Sequence, residues 1–301
     1  MNKETGAWQF VVVSPAHQDI QFTAPLPTGP DRRADGRWDG RYYPGFLLAN
    51  ADGRGRPGIL FTREVQYDAY PRGLVAVDPF TGQIIREWLC GPNPHPASVR
   101  EVDMGDRGQG IAFFGTSPNN LDGEIVGGTS DDRGCVFLVS ATGQLVWKNV
   151  AGRGFSGGGV EGADLDGDGR QEIIAFSRRM ATNVPSELAI WDWRRDEPLA
   201  RIRSQACFEG VAVIPGPRAG TNWLVTGSDQ GLVTRYPHED GRLIQGLLLV
   251  REVELKRADI ALRTPTIVSD PAFLCRSDSS DLRYVLGNLP DNAARALGLP
   301  G

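Results

Sequence analysis

Short apolar runs, separated by glycine- and proline-rich turns, set the pattern of this chain. The runs at 73–77, 135–139 and 172–176 are rich in valine, isoleucine and phenylalanine, which predicts strands. Thr-Gly turns at 81–82 and 142–143 are each flanked by two such runs, and this predicts β-hairpins. The 38 glycines and 21 prolines fit frequent turns between short strands better than they fit long helices.

A four-strand unit recurs along the chain at a spacing of roughly 45–60 residues, which is the spacing of propeller blades. A single sheet of this kind cannot bury both of its faces, whereas sheets stacked around an axis can. We therefore expect an all-β fold, a β-propeller of about five four-stranded antiparallel blades, in a single domain over residues 1–301. An open or truncated ring within a longer protein is the alternative. The predicted blades span 43–90, 98–150, 157–204, 207–250 and 259–288, the last completed by N-terminal strands within 8–24.

The acidic run Asp164-Leu-Asp-Gly-Asp-Gly-Arg-Gln-Glu172 predicts a metal site. Carboxylates at alternate positions repel one another unless a hard cation such as Ca²⁺ gathers them. The glycine after the third aspartate permits the sharp bend that such a loop needs. An EF-hand is excluded, because the twelfth residue is Ala175 and both flanks are strand-like. The predicted Ca²⁺ ligands are the side chains of Asp164, Asp166, Asp168 and Glu172 and the backbone carbonyl of Arg170.

The glycine-rich segment that precedes this loop carries a family resemblance. Phe155-Ser-Gly-Gly-Gly-Val-Glu-Gly-Ala, followed by the acidic loop and Glu-Ile-Ile, resembles the FG-GAP repeat, also called VCBS-like or integrin α-type. In that family each repeat is one blade of a β-propeller, and calcium binds between the first and second strands of the blade. The resemblance implies a bound Ca²⁺ and an extracytoplasmic location.

Two further segments are similar to the acidic loop but lack parts of it. In the first, Asn50 and Asp52 match Asp164 and Asp166, while Arg54 stands at the position of Asp168 and Gly58 at that of Glu172. A cation at a ligand position repels Ca²⁺, so this segment is interpreted as the same turn without its metal. The second segment keeps Asp103 and Asp106 but is one residue short, which leaves metal binding there in doubt.

A long polar insertion, residues 115–132, lies between two predicted strands of one blade. Loops of this length often carry function. Together with the strand and hairpin that follow, it is similar to propeller regions of bacterial sensor kinases and related signalling proteins. One hypothesis is that it faces a small polar ligand, and the alternative is a solvated, hydrogen-bonded loop. The candidate ligand residues are Asn119, Asn120, Asp131 and Asp132.

Charge and composition narrow the class of partner. The net charge of −5 argues against nucleic acid, since phosphate contacts need a basic surface. The apolar runs are too short to span a membrane, and residues 1–7 lack the basic and apolar regions of a signal peptide. We expect no direct membrane insertion. The four cysteines form no C-x-x-C motif, so zinc is not expected, and no disulfide can be paired from sequence.

The sequence favours a binding protein over an enzyme. Ser156 lies in a G-x-S-x-G match, but a nucleophile elbow needs a helix after the serine, and glycines follow instead. The three histidines, His17, His95 and His238, are far apart in predicted loops. The leading hypothesis is a Ca²⁺-stabilised sensor or adhesion propeller that binds a protein, peptide or carbohydrate at one face. The alternative is a Ca²⁺-dependent polysaccharide lyase, which would need a base and cationic groups around the channel.

Overall fold

Antiparallel sheets make up most of the described chain. The structure is a computed structural model that describes residues 9–13, 20–25, 41–65, 71–119, 123–151, 156–179, 186–204, 207–215, 221–229, 246–256, 259–262 and 266–268. Residues 269–288 of the predicted fifth blade and the candidate residue Asn120 lie outside these ranges.

Within each four-stranded sheet, the strands follow one another in chain order. Strands β1 (Gln9–Val13) and β2 (Ile20–Pro25) pair with each other. Blade 1 contains β3 (Arg41–Leu48), β4 (Gly58–Glu64), β5 (Gly73–Val77) and β6 (Ile84–Leu89). Blade 2 contains β7 (Asn93–Asp103), β8 (Gln109–Thr116), β9 (Cys135–Ser140) and β10 (Leu145–Val150), with a 3-10 helix, Gly105–Arg107, between β7 and β8. Blade 3 contains β11 (Ser156–Ala163), β12 (Glu172–Arg179), β13 (Ser186–Trp191) and β14 (Ala200–Ser204). The fourth sheet contains β15 (Cys207–Pro215), β16 (Thr221–Asp229), β17 (Gly246–Lys256), β18 (Asp259–Leu262) and β19 (Thr266–Val268).

The inner strands are buried on both faces of their sheets, which explains why their apolar runs are nearly continuous. In β8, Ile111 and Phe113 pack into one core cluster with blade 1, whereas Ala112 and Phe114 pack into another cluster with blade 3. Successive side chains of a strand point to opposite faces of its sheet. A strand that is buried on both faces therefore carries apolar residues at every position.

Three core clusters lie between successive sheets. We call the contact of blades 1 and 2 the first junction and that of blades 2 and 3 the second junction. The first is filled by residues that include Leu60, Leu74, Trp88, Ile111, Phe113 and Phe137. The second is filled by residues that include Phe114, Leu138, Trp147, Val160, Ile173 and Trp191. Blade 3 and the fourth sheet share a cluster that includes Leu165, Ile174, Ile190, Phe208 and Leu224.

Four-stranded meanders packed face to face in chain order form a β-propeller, as the repeat pattern predicts. Strand β7 packs against β3, β4 and β5, strand β11 packs against β7 and β8, and β15 packs against β11, β12 and β13. The described residues contain three complete blades and the fourth sheet. The total of about five blades and the single domain over residues 1–301 stay predictions. None of the described helices is long or apolar enough to cross a membrane.

The boundary between the fourth and fifth predicted blades differs from the structure. Strand β17 continues to Lys256 and pairs with both β18 and β19, so residues 259–268 belong to the fourth sheet. The prediction from sequence placed these residues in a new blade because it ended the fourth blade at Val250. Among the described residues, β1 and β2 pair with each other, and the completion of the last blade by the N-terminal strands stays a prediction.

Candidate functional site

The acidic loop joins β11 to β12, the first and second strands of blade 3. Strand β11 ends at Ala163 and β12 begins at Glu172. Gly167 and Gly169 have φ angles of 73° and 82°, a left-handed conformation that glycine adopts at little cost. Leu165 is buried and packs in the cluster shared with the fourth sheet, which anchors the loop. The loop is therefore held in a fixed place at the edge of the blade.

Aspartate side chains organise the backbone of the loop. The Oδ1 and Oδ2 atoms of Asp164 accept hydrogen bonds from the N–H groups of Gly167 and Gly169, at 2.7 and 3.0 Å. Oδ1 of Asp166 accepts from the N–H of Asp168 at 3.1 Å. Such short-range bonds are the usual way in which aspartate stabilises a turn. They turn the carboxylates of Asp164 and Asp166 toward one centre.

Glu172 brings a third carboxylate to that centre. Its side chain is 2% exposed, and its Oε2 accepts a hydrogen bond from the N–H of Leu165 at 2.8 Å. Burial raises the pKa of Glu172 to about 7, helped by the charges of Asp166, Asp168 and Asp164 and opposed by the Leu165 N–H. One carboxylate oxygen from each of Asp164, Asp166 and Glu172 lies within 4.8 Å of the other two. This is the oxygen-rich, negatively charged arrangement that binds a hard divalent cation.

Asp168 is engaged differently from the other predicted ligands. Its Oδ2 accepts from the guanidinium groups of Arg170 and Arg194, at 3.2 and 3.3 Å. Its Oδ1 accepts from the N–H of Arg170 at 2.9 Å. Arg194 lies in the turn after β13, so no local spacing signalled this contact. The structure thus brings together three of the predicted side chains, while Asp168 faces two arginines.

The corresponding loop of blade 1 has the same turn. Oδ1 of Asn50 accepts from the N–H of Gly55 at 2.7 Å, as Asp164 does from Gly169. Oδ1 of Asp52 accepts from the N–H groups of Arg54 and Arg56, at 2.7 and 3.1 Å. The turn therefore forms without a complete set of acids. Among the described residues, only the loop of blade 3 gathers three possible metal-ligating side chains.

The corresponding loop of blade 2 contacts blade 3. The N–H of Asp103 donates to Oε1 of Gln171 at 2.9 Å, and the N–H of Gln171 donates to the carbonyl of Asp103 at 2.8 Å. Asp106 lies 3.6 Å from Arg170. Arg107 lies over the ring of Trp193, 5.3 Å from its centre. The backbone of Asp103 and the carboxylate of Asp106 therefore connect this loop to blade 3, a role that the sequence did not indicate.

The polar insertion docks on blade 1 through a buried ion pair. Asp131 and Arg72 are 1% and 0% exposed, and their side chains are 2.9 Å apart. Arg72 also donates to the carbonyl of Gly91 at 2.9 Å. Asn119 is exposed, with a φ of 52°, and Asp132 is exposed beside Arg133 at 3.5 Å. Of the predicted ligand residues, Asp131 therefore has a structural partner in blade 1, and Asn119 and Asp132 lie on the surface.

The remaining candidate residues show little that points to catalysis. Ser156 begins β11 and is followed by strand, so the nucleophile elbow does not form. His95 lies in β7, and His17 and His238 lie outside the described residues. Cys90 and Cys135 are free thiols, and burial raises their pKa values to about 12 and about 11. Both thiols are therefore protonated at neutral pH and unreactive.

Comparisons with known proteins show distant similarity to solved structures. No family model matches the chain, so the FG-GAP resemblance stays a prediction. No curated protein matches it either. Among solved structures, the chain is similar to the WD40 domain of SCAP from fission yeast, with 9% identity and a TM-score of 0.27. The similarity covers 81% of this chain and 58% of that chain. The propeller assignment therefore depends on the sheets described above.

Proposed function

We propose that this chain is a non-catalytic, protein-binding β-propeller in which the acidic loop of blade 3 binds Ca²⁺. The observation that carries the metal assignment is the convergence of oxygens from Asp164, Asp166 and Glu172 within 4.8 Å. In this proposal the ion is structural. It holds the edge of blade 3 and, through Arg170 and Gln171, the neighbouring edge of blade 2.

Electrostatics supports Ca²⁺ at this place. Three carboxylates so close together repel one another, and one of them, Glu172, is buried. A divalent cation removes both the repulsion and the cost of burying a charge. Asp168 and the carbonyl of Arg170 are the additional ligands that we propose. Asp168 would exchange its arginine contacts for the metal, since Ca²⁺ takes six to eight oxygen ligands.

The position of the loop supports a relation to FG-GAP repeats. The loop lies between the first and second strands of a blade, which is where that family binds calcium. Blade 1 carries the same turn with Arg54 and Gly58 at two ligand positions, as expected for a repeat that lost its metal. The relation is part of the proposal. The lyase and carbohydrate alternatives have no supporting observation among the described residues.

Calorimetric titration of the chelator-treated full chain with CaCl₂ tests the metal. We expect one binding site per chain, with the affinity reduced at least tenfold by Asp166→Ala. The control is Asp52→Ala, which removes the matching acid from the blade 1 loop. Absence of binding heat, together with no change in the melting temperature on adding Ca²⁺, would refute the metal assignment.

Selection of displayed random peptides on the immobilised full chain tests protein binding. We expect enrichment of a recurrent peptide motif compared with an immobilised control protein. Failure to enrich any motif, in Ca²⁺ and in chelator alike, would count against a protein-binding function. The two tests are independent, so one part of the proposal can fail while the other stands.

A further inference from the structure

Arg194 links the acidic loop of blade 3 to the turn between β13 and β14. Its Nε and one terminal nitrogen donate to the two carboxylate oxygens of Asp192, at 2.7 and 2.9 Å. The same terminal nitrogen donates to Oδ2 of Asp168 at 3.3 Å. A guanidinium that makes two parallel hydrogen bonds to one carboxylate is held in a defined orientation. Arg194 is therefore fixed on Asp192, and Asp168 meets it from the acidic loop.

The turn that carries Arg194 is itself held in place by blade 2. The indole N–H of Trp147 donates to the carbonyl of Arg195 at 3.2 Å. The side-chain amide of Asn149 donates to the carbonyl of Asp196 at 2.7 Å. Movement of the turn away from the acidic loop would break both hydrogen bonds. The positive charge of Arg194 therefore stays beside the loop when the loop changes its own contacts.

Both oxygens of the Asp168 carboxylate are engaged. Oδ1 accepts from the N–H of Arg170, and Oδ2 accepts from the guanidinium groups of Arg170 and Arg194. A cation at the centre of the three converging carboxylates would compete with these guanidinium groups for the same aspartate. Positive charges that share one carboxylate repel one another. Asp168 can therefore become a metal ligand only by giving up its contacts with the arginines.

Blade 1 contains a related link without a complete set of acids. Asp78 directly follows β5, as Asp192 directly follows β13, and each accepts a hydrogen bond from the N–H of the residue two positions later. Arg56, from the corresponding loop of blade 1, pairs with Asp78. In both blades a guanidinium thus connects the loop to the acid that follows the third strand. A guanidinium link is therefore an arrangement that such a loop adopts without metal ligands.

We propose that Arg194 is an internal competitor of the metal, which lowers the Ca²⁺ affinity of the acidic loop by holding Asp168. The loop then has two arrangements. Without Ca²⁺, Asp168 pairs with Arg194, and with Ca²⁺ it faces the metal. This inference rests on the Ca²⁺ binding proposed above and adds a regulation of that site. Because the two arrangements exclude each other, Ca²⁺ weakens the link to the β13–β14 turn by the same factor by which the link weakens Ca²⁺ binding.

The exposure of the pair limits the size of the effect. The side chains of Arg194 and Asp168 are 38% and 30% exposed. Ion pairs that solvent reaches in this way contribute little, which corresponds to a change in affinity of about two- to fivefold. The effect is largest at low ionic strength, where salt screens the pair least.

Calorimetric titration of the chelator-treated full chain with CaCl₂ at low ionic strength tests the competition. Arg194→Gln should tighten Ca²⁺ binding about threefold compared with the wild type. The matched control is Arg195→Gln, which removes the neighbouring positive charge of the same turn. Arg195 pairs with Asp192 at 3.4 Å, and its replacement should leave the Ca²⁺ affinity unchanged. Arg170 is kept in all variants, because its backbone carbonyl is a proposed ligand.

A second background separates the ion pair from the general loss of charge. In Asp168→Asn the carboxylate that Arg194 holds is gone, so the further change Arg194→Gln should leave the Ca²⁺ affinity unchanged. Thermal melts supply an independent measurement. The rise in melting temperature on adding Ca²⁺ should be larger in Arg194→Gln than in Arg195→Gln. Circular dichroism in chelator verifies that each variant is folded.

Three outcomes would overturn the competition while Ca²⁺ binding stands. The first is equal Ca²⁺ affinity of Arg194→Gln and the wild type. The second is equal tightening by Arg194→Gln and Arg195→Gln, which would assign the effect to long-range charge. The third is tightening by Arg194→Gln that persists in the Asp168→Asn background. Absence of binding heat in the wild type and in every variant would instead refute the Ca²⁺ assignment, and the competition with it.

Discussion

Gln171 and Asp103 exchange two hydrogen bonds across the second junction. The N–H of Gln171 donates to the carbonyl of Asp103 at 2.8 Å, and the N–H of Asp103 donates to the Gln171 side chain at 2.9 Å. Gln171 directly precedes Glu172, which belongs to the candidate metal site. The acidic loop of blade 3 is therefore in direct hydrogen-bond contact with blade 2. The neighbouring Arg170–Asp106 contact runs the same way.

Removal of the Gln171 side chain should weaken this junction. Gln171→Ala leaves the N–H of Asp103 without its acceptor, which costs about 1 kcal/mol of unfolding free energy. Hydrogen exchange of the Asp103 amide should become faster. The control is Gln144→Ala, an exposed glutamine in the β9–β10 turn. Equal stability of the two variants, with unchanged exchange at Asp103, would show that the contact is not formed in solution.

Calcium should stabilise the chain through the acidic loop. At a free concentration of about 100 times its dissociation constant, a ligand of the folded state adds about 2.7 kcal/mol of stability. We expect Asp166→Ala to lose most of this gain in Ca²⁺ and to change little in chelator, while Asp52→Ala keeps the full gain. Thermal melts with and without chelator measure this gain in stability. Identical wild-type melts in the two conditions contradict an occupied site.

The buried ion pair of the insertion should contribute strongly to stability. Asp131→Ala leaves the guanidinium of Arg72 buried without its carboxylate, and breaking a buried pair in this way costs about 3 kcal/mol or more. Asp132→Ala is the control, because Asp132 is exposed and lies one residue further along. Urea unfolding of both variants compares them. If Asp131→Ala is as stable as Asp132→Ala, the insertion is not anchored by this pair.

The pH dependence of the stability of the chain should depend on the ion pair between Arg56 and Asp78 in blade 1. Burial tends to raise the pKa of Asp78, but the N–H groups of Phe80 and Thr81 and the guanidinium of Arg56 outweigh it and hold the pKa below its ordinary value of 3.8. A carboxyl whose folded-state pKa is lowered contributes stability above the ordinary pKa and loses it as the pH falls through the folded value.

Arg56→Gln should therefore lower stability at neutral pH by about 1 kcal/mol, since half-exposed ion pairs contribute little more. Below pH 3.8 the difference from the wild type should shrink. Arg54→Gln, an exposed arginine of the same loop, should show neither effect. Melting temperatures of the wild type and the variants, measured from neutral to acidic pH, give this difference in stability. A difference between the wild type and Arg56→Gln that is constant over that range would argue against the Arg56–Asp78 ion pair.

Local patterns determined the strands, the blades and the place of the acidic loop. The apolar runs of β9 and β12 are a property of neighbouring residues, so they sufficed to predict strands. The turn formed by Asp164 and Asp166 is equally local, because each carboxylate accepts a hydrogen bond from a backbone N–H only two or three residues further along the chain. For the same reason the sequence predicted the shared turn of blade 1.

Contacts between residues far apart along the chain could be decided only by the tertiary structure. Asp168 meets Arg194, and Asp131 meets Arg72, across 26 and 59 residues of chain. The sequence also ended the fourth blade too early, because the pairing of β17 with β18 and β19 depends on register and not on composition. Spacing along a strand specifies which face a side chain takes, but not what lies opposite that face, since packing brings together residues that the chain keeps far apart.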